Sequence, residues 1–203
     1  MKPIFIILLV VFLLLLLAFL FGPIIKRKYI EVNYKKIVSK TLYKYALDHD
    51  VFLINDIKLP YNGGFIIFDH ILFGEKYIYC IKDVHESFGI EGSAEDLKWF
   101  TYSKKGKVDY IVNPFKENNH NVSLLMKYMN STVEDKLYFS IVCVNDDCDR
   151  SISKCRDDEI ICKNKELYKV IKEKEKDSSI KNINQDKLGQ TVKFLFDEIN
   201  KTK

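Results

Sequence analysis

The chain of 203 residues lacks the motifs of several common enzyme classes. It has no glycine-rich loop of the kind that holds nucleotide phosphates, and no Gly-x-Ser-x-Gly turn that would expose a nucleophilic serine. Its net charge of +4 is small, so charge alone does not indicate nucleic-acid binding. Its five cysteines include no Cys-x-x-Cys pair, which favours free thiols in a reducing compartment over a zinc site.

Charge is also absent from Ile4 to Ile25, a run of 22 mostly aliphatic and aromatic residues. About 20 apolar residues cross a bilayer as a helix, so this run predicts a membrane anchor. No small-x-small cleavage site follows it, which argues against a cleaved signal peptide. Lys2 alone precedes the run, whereas six basic residues follow it within residues 26–40. Because basic flanks stay in the cytoplasm, we expect a single-pass anchor at residues 1–28 in the cell membrane and a cytoplasmic domain at residues 29–203.

The rest of the chain shows short apolar runs separated by glycines and polar turns. The predicted elements are a helix at 33–48, strands at Val51–Leu59, Phe65–Phe73, Tyr77–Asp83, Phe88–Gly92, Leu97–Tyr102 and Val108–Ile111, a helix opened by Asn113–Pro114, strands at Leu137–Val144 and Glu159–Cys162, and two closing helices. This order predicts an α/β (mixed α+β) fold with a mixed central sheet flanked by helices, preceded by one transmembrane helix.

A carboxylate interrupts the second of these strands. Asp69 lies in an otherwise apolar run, and a buried carboxylate requires a partner, a hydrogen-bond network or a metal. Gly74 joins this strand to the next, so the two strands should pair and bring Asp69 near the end of the second. There Lys82 and Val84 share one face, whereas Asp83 points to the other.

The sequence around Asp69 resembles the nuclease-related domain (NERD) family, a branch of the PD-(D/E)xK nucleases, over about residues 35–200. The resemblance is carried by Ile67–Leu72 with its Asp69–His70, Gly74, Tyr77–Ile81, Gly89–Gly92, Trp99 and Asn113–Asn118. It implies a PD-(D/E)xK-like sheet and Mg²⁺-dependent cleavage of phosphodiesters. In that chemistry Asp and Glu supply oxygen ligands, and a Lys two residues after the Glu stabilises charge in the transition state. An N-terminal anchor also fits many such proteins.

The sequence departs from the family pattern where the chemistry is done. Asp69 matches the metal-ligand Asp, but Lys82 stands at the Glu position, Val84 at the Lys position and Glu117 at a Gln position. The first helix has no acid from 32 to 47, and residues 39 and 40 (Ser and Lys) lie where one is expected. One carboxylate is a poor magnesium site, so we expect no cofactor, or Mg²⁺ on Asp69 if the domain is active.

Three functions remain open. The favoured one is a catalytically degenerate domain at the membrane that binds nucleic acid or a protein partner, with the Lys82 ammonium paired to Asp69 in place of a metal. The second is an active Mg²⁺-dependent DNA or RNA endonuclease whose ligands have moved to Asp83, Glu86 or Glu91. The alternative to moved ligands is that Asp83 and Glu86 belong to a surface loop. The third function is a scaffold without a nucleic-acid role.

Aromatic and histidine residues near these strands have two interpretations each. Trp99, Phe100 and Tyr102 are suited to stacking on bases, but core packing is the favoured role in so short a strand. His70 is favoured as a structural histidine with satisfied nitrogens over a catalytic base, whereas His85 is a candidate base if the ligand set has moved.

Overall fold

A computed structural model of the chain describes residues 3–85, 88–103, 106–128 and 137–201, with part of the first helix described by its backbone alone. Lys2 and Glu86, which entered the sequence-based predictions, lie outside these residues. The helices are α1 Pro3–His49, α2 Pro114–Tyr128, α3 Asn164–Glu175 and α4 Gln185–Asn200. The strands are β1 Phe52–Tyr61, β2 Gly64–Phe73, β3 Ile78–Val84, β4 Gly89–Ser93, β5 Lys98–Tyr102, β6 Val108–Val112, β7 Tyr138–Val144, β8 Asp149–Ser153 and β9 Glu159–Lys163.

The strands form two mixed sheets, which corrects the prediction of one central sheet. The first sheet has the order β1-β2-β3-β7-β9, in which β3, β7 and β9 are parallel. The second has the order β6-β5-β4-β8. The prediction missed β8, which pairs in parallel with β4 and thereby completes the second sheet. Its sequence, Asp-Arg-Ser-Ile-Ser, carries only one apolar residue and so gives no strand signal.

Helix α1 covers one face of the first sheet with its C-terminal half. Tyr34, Val38, Leu42 and Tyr45 recur at helical spacing and are buried, so they form one apolar stripe against the sheet and α3. The division at residue 28 falls within this continuous helix. Over the described residues, no helix combines the length and apolarity needed to cross a membrane. The transmembrane anchor is therefore not supported by the fold and stays a prediction from the sequence.

The core has three parts that together place the carboxyl ends of β3 and β7 between the sheets. One cluster lies under α1 and α3, and a second lies on the other face of the first sheet under α2 and α4. The third joins the inner face of the second sheet to Val84, Val144 and Phe115. The end of β3, where Lys82 and Asp83 lie, is thus held by packing on several sides.

The start of α2 is set by Asn113, as the Asn-Pro sequence predicts. The Asn113 side-chain oxygen accepts a hydrogen bond from the Phe115 N–H at 2.9 Å, and Pro114 is the first helical residue. The Asn113 amide also donates to the carbonyls of Ala94 and Asp96, at 2.9 and 2.7 Å. One fully buried side chain therefore ties the helix to the loop between β4 and β5.

Candidate functional site

The pairing of β2 with β3 brings Asp69 and Lys82 together. His70 pairs with Ile81, so Asp69 and Lys82 come next along the two antiparallel strands. The Lys82 ammonium lies 3.8 Å from Asp69 Oδ2, the contact expected from the strand pairing. The Lys82 ammonium lies closer, at 2.7 Å, to Glu117 Oε1 on α2. Lys82 therefore links two carboxylates that come from different elements.

Helix α1 contributes a second ammonium that the sequence did not single out. Lys35 Nζ donates to Asp69 Oδ1 at 2.9 Å and lies 2.6 Å from Asp56 Oδ1. The sequence pointed instead to Ser39 or Lys40. Lys35 precedes Ser39 by one helical turn, so the two share a face, and this periodicity was the available signal.

Asp56 was also missed, and its backbone conformation is unusual. Its φ of 54° places it in the left-handed region, where Asp is one of the more tolerated residues. It lies between Asn55 and Ile57, which pair with His70 and Phe68, and so stands across from Asp69. We call Asp56, Lys35, Asp69, Lys82 and Glu117 the charge row; it contains three acids and two lysines.

Both oxygens of Asp69 have donors. Oδ1 accepts from Lys35, and Oδ2 accepts from the Asp83 N–H at 3.1 Å and faces Lys82. Burial alone would raise the pKa of the Asp69 carboxyl, but the hydrogen bond from Lys35, the charge of Lys82 and the Asp83 N–H together hold it below its ordinary value. Asp69 is thus an ionised carboxylate held between two cations.

The other face of the same strand pair carries a buried histidine and acid. His70 is fully buried, with Nε2 2.9 Å from Asp83 Oδ2 and Nδ1 2.6 Å from Asn55 Oδ1. Both ring nitrogens have partners, as expected for a structural histidine. The alternative that Asp83 belongs to a surface loop is wrong, since it is the penultimate residue of β3 and its side chain is only 8% exposed. Burial raises the pKa of Asp83 above its ordinary value, with partial opposition from His70.

Val84, at the expected position of a catalytic lysine, belongs to the core. It is 7% exposed and packs in the third cluster with Val142 and Val144. Its methyl groups offer neither a charge nor a hydrogen bond to the charge row.

The residues proposed as a moved ligand set do not come together in the described part of the chain. The Asp83 carboxylate turns to His70, and His85 packs edge-on against Tyr34 with ring centroids 5.5 Å apart. Glu91 accepts a hydrogen bond from the Tyr102 hydroxyl at 2.7 Å, on the second sheet. Among the described residues, no group of three or more His, Cys, Asp or Glu side chains is placed to hold a metal ion.

The charge row itself does not fit a divalent cation. Mg²⁺ requires several oxygen ligands, and the Asp69 oxygens are already engaged by ammonium and N–H donors. A cation beside Asp69 would also stand within a few ångströms of two ammonium groups. No catalytic step through a metal is therefore assigned to these residues.

A sequence model of the nuclease-related domain matches residues 33–145, more than half of the chain. The chain belongs to the nuclease-related domain family. The matched segment contains Val84 and every member of the charge row. No match was found among curated proteins or among solved structures.

Residues on which the resemblance to the family rests also hold the fold around the charge row. Asn118 is buried and donates to the Cys80 carbonyl at 2.6 Å and to Ser140 Oγ at 2.9 Å, which fixes α2 to β3 and β7. Gly92 packs so closely on Trp99 that a Cβ at this position would lie 2.7 Å from the indole ring. Asn118 and Gly92 therefore stabilise the fold and take no part in the charge row.

Proposed function

We propose that this NERD protein binds nucleic acid without hydrolysing it and is held at the cytoplasmic face of the cell membrane by its N-terminal segment. The observation that carries the proposal is the placement of the Lys35 and Lys82 ammonium groups around Asp69. Membership of a nuclease-related family supports a nuclease-like domain, and the contacts of Asp69 support the loss of its chemistry.

Metal-dependent hydrolysis at this site would require the ion pairs to break first. A divalent cation polarises the phosphate and activates water, and it reaches both through carboxylate ligands. Here Asp56 is joined to Asp69 through Lys35, and Glu117 is joined to it through Lys82. The two lysines offset two of the three negative charges of the row, and each of them repels a cation beside Asp69.

The membrane location is supported by the sequence of the N-terminal segment. The uncharged residues 4–25 are long enough to span a bilayer, and the basic residues that follow favour a cytoplasmic domain. A protein so placed would hold nucleic acid close to the inner membrane surface.

The decisive experiment measures binding and cleavage on the full chain in detergent micelles. Labelled DNA and RNA, single- and double-stranded, are incubated with Mg²⁺, Mn²⁺ or a chelator. We expect retention of nucleic acid without cutting, and an affinity that falls as salt rises.

Asp69→Ala and Asp109→Ala are the matched variants. Metal-dependent cutting that Asp69→Ala abolishes and Asp109→Ala retains would overturn the proposal in favour of an active nuclease. Cutting that persists in Asp69→Ala identifies a contaminating enzyme or a different site. A chain that neither cuts nor retains any of the four nucleic acids would instead be a scaffold.

A further inference from the structure

The second sheet has one buried face and one exposed face. Along β5, Trp99 and Thr101 are buried, Trp99 within the third cluster, and so Lys98, Phe100 and Tyr102 point outward. Core packing was the favoured role for all three aromatic residues of this strand, and it is confirmed for Trp99 but wrong for Phe100, which is 54% exposed. Because side chains alternate between the two faces of a strand, Trp99 is buried and its neighbour Phe100 is exposed, although both are aromatic.

The exposed side chains of β5 and β6 lie side by side. Phe100 pairs with Tyr110, Tyr102 with Val108, and Lys98 with Val112, and partners in an antiparallel sheet share a face. Tyr110 is 58% exposed. We call the set Lys98, Phe100, Tyr102, Val108, Tyr110 and Val112 the aromatic face.

The aromatic face is accompanied by positive charge. Lys98 Nζ lies 4.0 Å from the centroid of the Tyr110 ring. The acids close by have partners, since Glu91 accepts from Tyr102 and Asp109 lies 3.7 Å from Lys107. By sequence, residues 97–112 hold four lysines and one aspartate, a net charge of +3 in a chain whose total is +4.

We propose that the aromatic face binds single-stranded nucleic acid, with bases stacked on Phe100 and Tyr110 and phosphate oxygens near Lys98. The inference rests on the proposed nucleic-acid binding and gives it a location away from the charge row. Unpaired bases stack on exposed rings regardless of sequence, whereas the bases of a duplex are already stacked on one another. The face should therefore prefer single strands.

The same observations argue against a lipid surface as the occupant. Glu91 pairs with Phe100 across β4 and β5, so its carboxylate lies on the aromatic face. Inserting this face into a bilayer would carry a carboxylate out of water at a high cost. A nucleic-acid strand leaves the rim of the face in water and meets no such cost.

The test measures the affinity of the full chain, in detergent micelles, for a fluorescent single-stranded oligonucleotide and for the matching duplex. The double variant Phe100→Ala with Tyr110→Ala removes both rings, and we expect it to weaken single-strand binding by at least about tenfold, given about 5- to 150-fold for each stacked base. Tyr110→Phe keeps the ring and should keep the affinity.

Phe65→Ala is the matched control. Phe65 is an exposed strand phenylalanine with a lysine, Lys58, 4.0 Å from its ring centroid, but it lies on the first sheet. Its loss should leave the affinity unchanged.

The outcomes separate this inference from the proposed function. Equal binding by the wild type and the double variant would overturn the aromatic face while leaving nucleic-acid binding intact. A wild type that binds no nucleic acid would remove both, and an equal or greater affinity for the duplex would overturn the single-strand preference.

A second measurement does not depend on how the variants fold. Ultraviolet cross-linking of the wild-type chain to a photoreactive single strand should modify peptides within residues 97–112. Cross-links confined to the charge row or to the closing helices would overturn the assignment. Wild-type binding to vesicles of anionic phospholipid that the double variant loses would assign the face to the membrane and overturn it too.

Discussion

Lys82 contacts Glu117 at 2.7 Å and Asp69 at 3.8 Å, so one ammonium is shared by two carboxylates. Its side chain is 25% exposed and therefore partly shielded from water. An ion pair in this setting is stronger than one on the open surface, and removal of one member leaves the other members of the row without balance. The identity of this single residue decides whether the row repels or attracts a cation.

We expect Lys82→Glu to convert the charge row into a cation site. The substitution replaces an ammonium with a carboxylate next to Asp69 and Glu117, so the charge row would then hold four acids and one lysine. Without metal, mutual repulsion among the acids should lower the melting temperature of the variant. Mn²⁺ should restore the melting temperature and give a bound-ion signal in electron paramagnetic resonance. In the wild type, Mn²⁺ should change neither the melting temperature nor the resonance signal. Val84→Lys is left out because it would place an ammonium in the apolar third cluster.

Lys107→Glu makes the same change of charge on the exposed β6 side of the molecule and serves as the control. An equal response of the two variants to Mn²⁺ would show a general effect of negative charge and would contradict the cation site.

Asp69 also predicts how stability depends on pH. Burial raises the pKa of its carboxyl, but Lys35, Lys82 and the Asp83 N–H outweigh burial, and the folded-state pKa lies below the ordinary value of 3.8. The resulting stabilisation is present above the unfolded pKa and is lost as the pH falls through the folded pKa. We expect Asp69→Asn to flatten the fall in the free energy of unfolding between about pH 4 and pH 2.

Urea unfolding followed by the fluorescence of Trp99, the single tryptophan and a fully buried one, measures this slope. Asp109→Asn, which removes an exposed carboxylate paired with Lys107, is the comparison. Parallel acid limbs for Asp69→Asn and the wild type would refute the role given to the ion pairs.

At the scale of elements, Asn113 joins the start of α2 to the loop between β4 and β5. It caps α2 and holds the turn after β4 through two carbonyls. Sequence reasoning identified the cap because Asn followed by Pro is a local signal. The hydrogen bonds to Ala94 and Asp96 could not be predicted from the sequence, since no local pattern indicates which loop lies against the start of a helix.

Asn113→Ala should lower the free energy of unfolding by about 2–4 kcal/mol, from the lost cap and the buried carbonyls left without donors. Urea unfolding of the full chain measures the change. Asn33→Ala, which removes an exposed hydrogen bond to the Tyr29 carbonyl within α1, should change it by less than about 0.5 kcal/mol. Similar losses in both variants would mean that Asn113 has no special role.

For the whole molecule, the proposed orientation can be tested with a native thiol. Cys155 is exposed, whereas Cys80, Cys143, Cys148 and Cys162 are buried. If the domain is cytoplasmic, a membrane-permeant maleimide should label Cys155 in intact cells, and an impermeant maleimide should label it only after lysis. A mildly alkaline buffer suits the reaction, because burial, with help from Glu159, raises the pKa of this thiol.

Cys155→Ser should abolish the label and so show that the buried thiols do not react. Labelling of intact cells by the impermeant reagent would reverse the orientation, and recovery of the chain in the soluble fraction would remove the anchor from the proposal.

The sequence alone determined the features that depend on near neighbours. Helical and strand periodicity predicted α1 from residue 33 onward, α2 and most strands, because burial of one face repeats over a few residues. The turn at Gly74 was enough to predict that Asp69 meets Lys82, since consecutive strands joined by a short turn pair with each other. The identities of Lys82 and Val84 were equally visible in the sequence.

Only the tertiary structure decided what long-range packing controls. The second sheet has its fourth strand because β8, with one apolar residue, pairs with the distant β4. Lys35 reaches Asp69 and Asp56 because α1 crosses the first sheet at that point, and Phe100 is exposed because its inward neighbour Trp99 fills the third cluster. Such contacts join residues far apart in the chain, and the free energy that selects them comes from the whole core rather than from any local pattern.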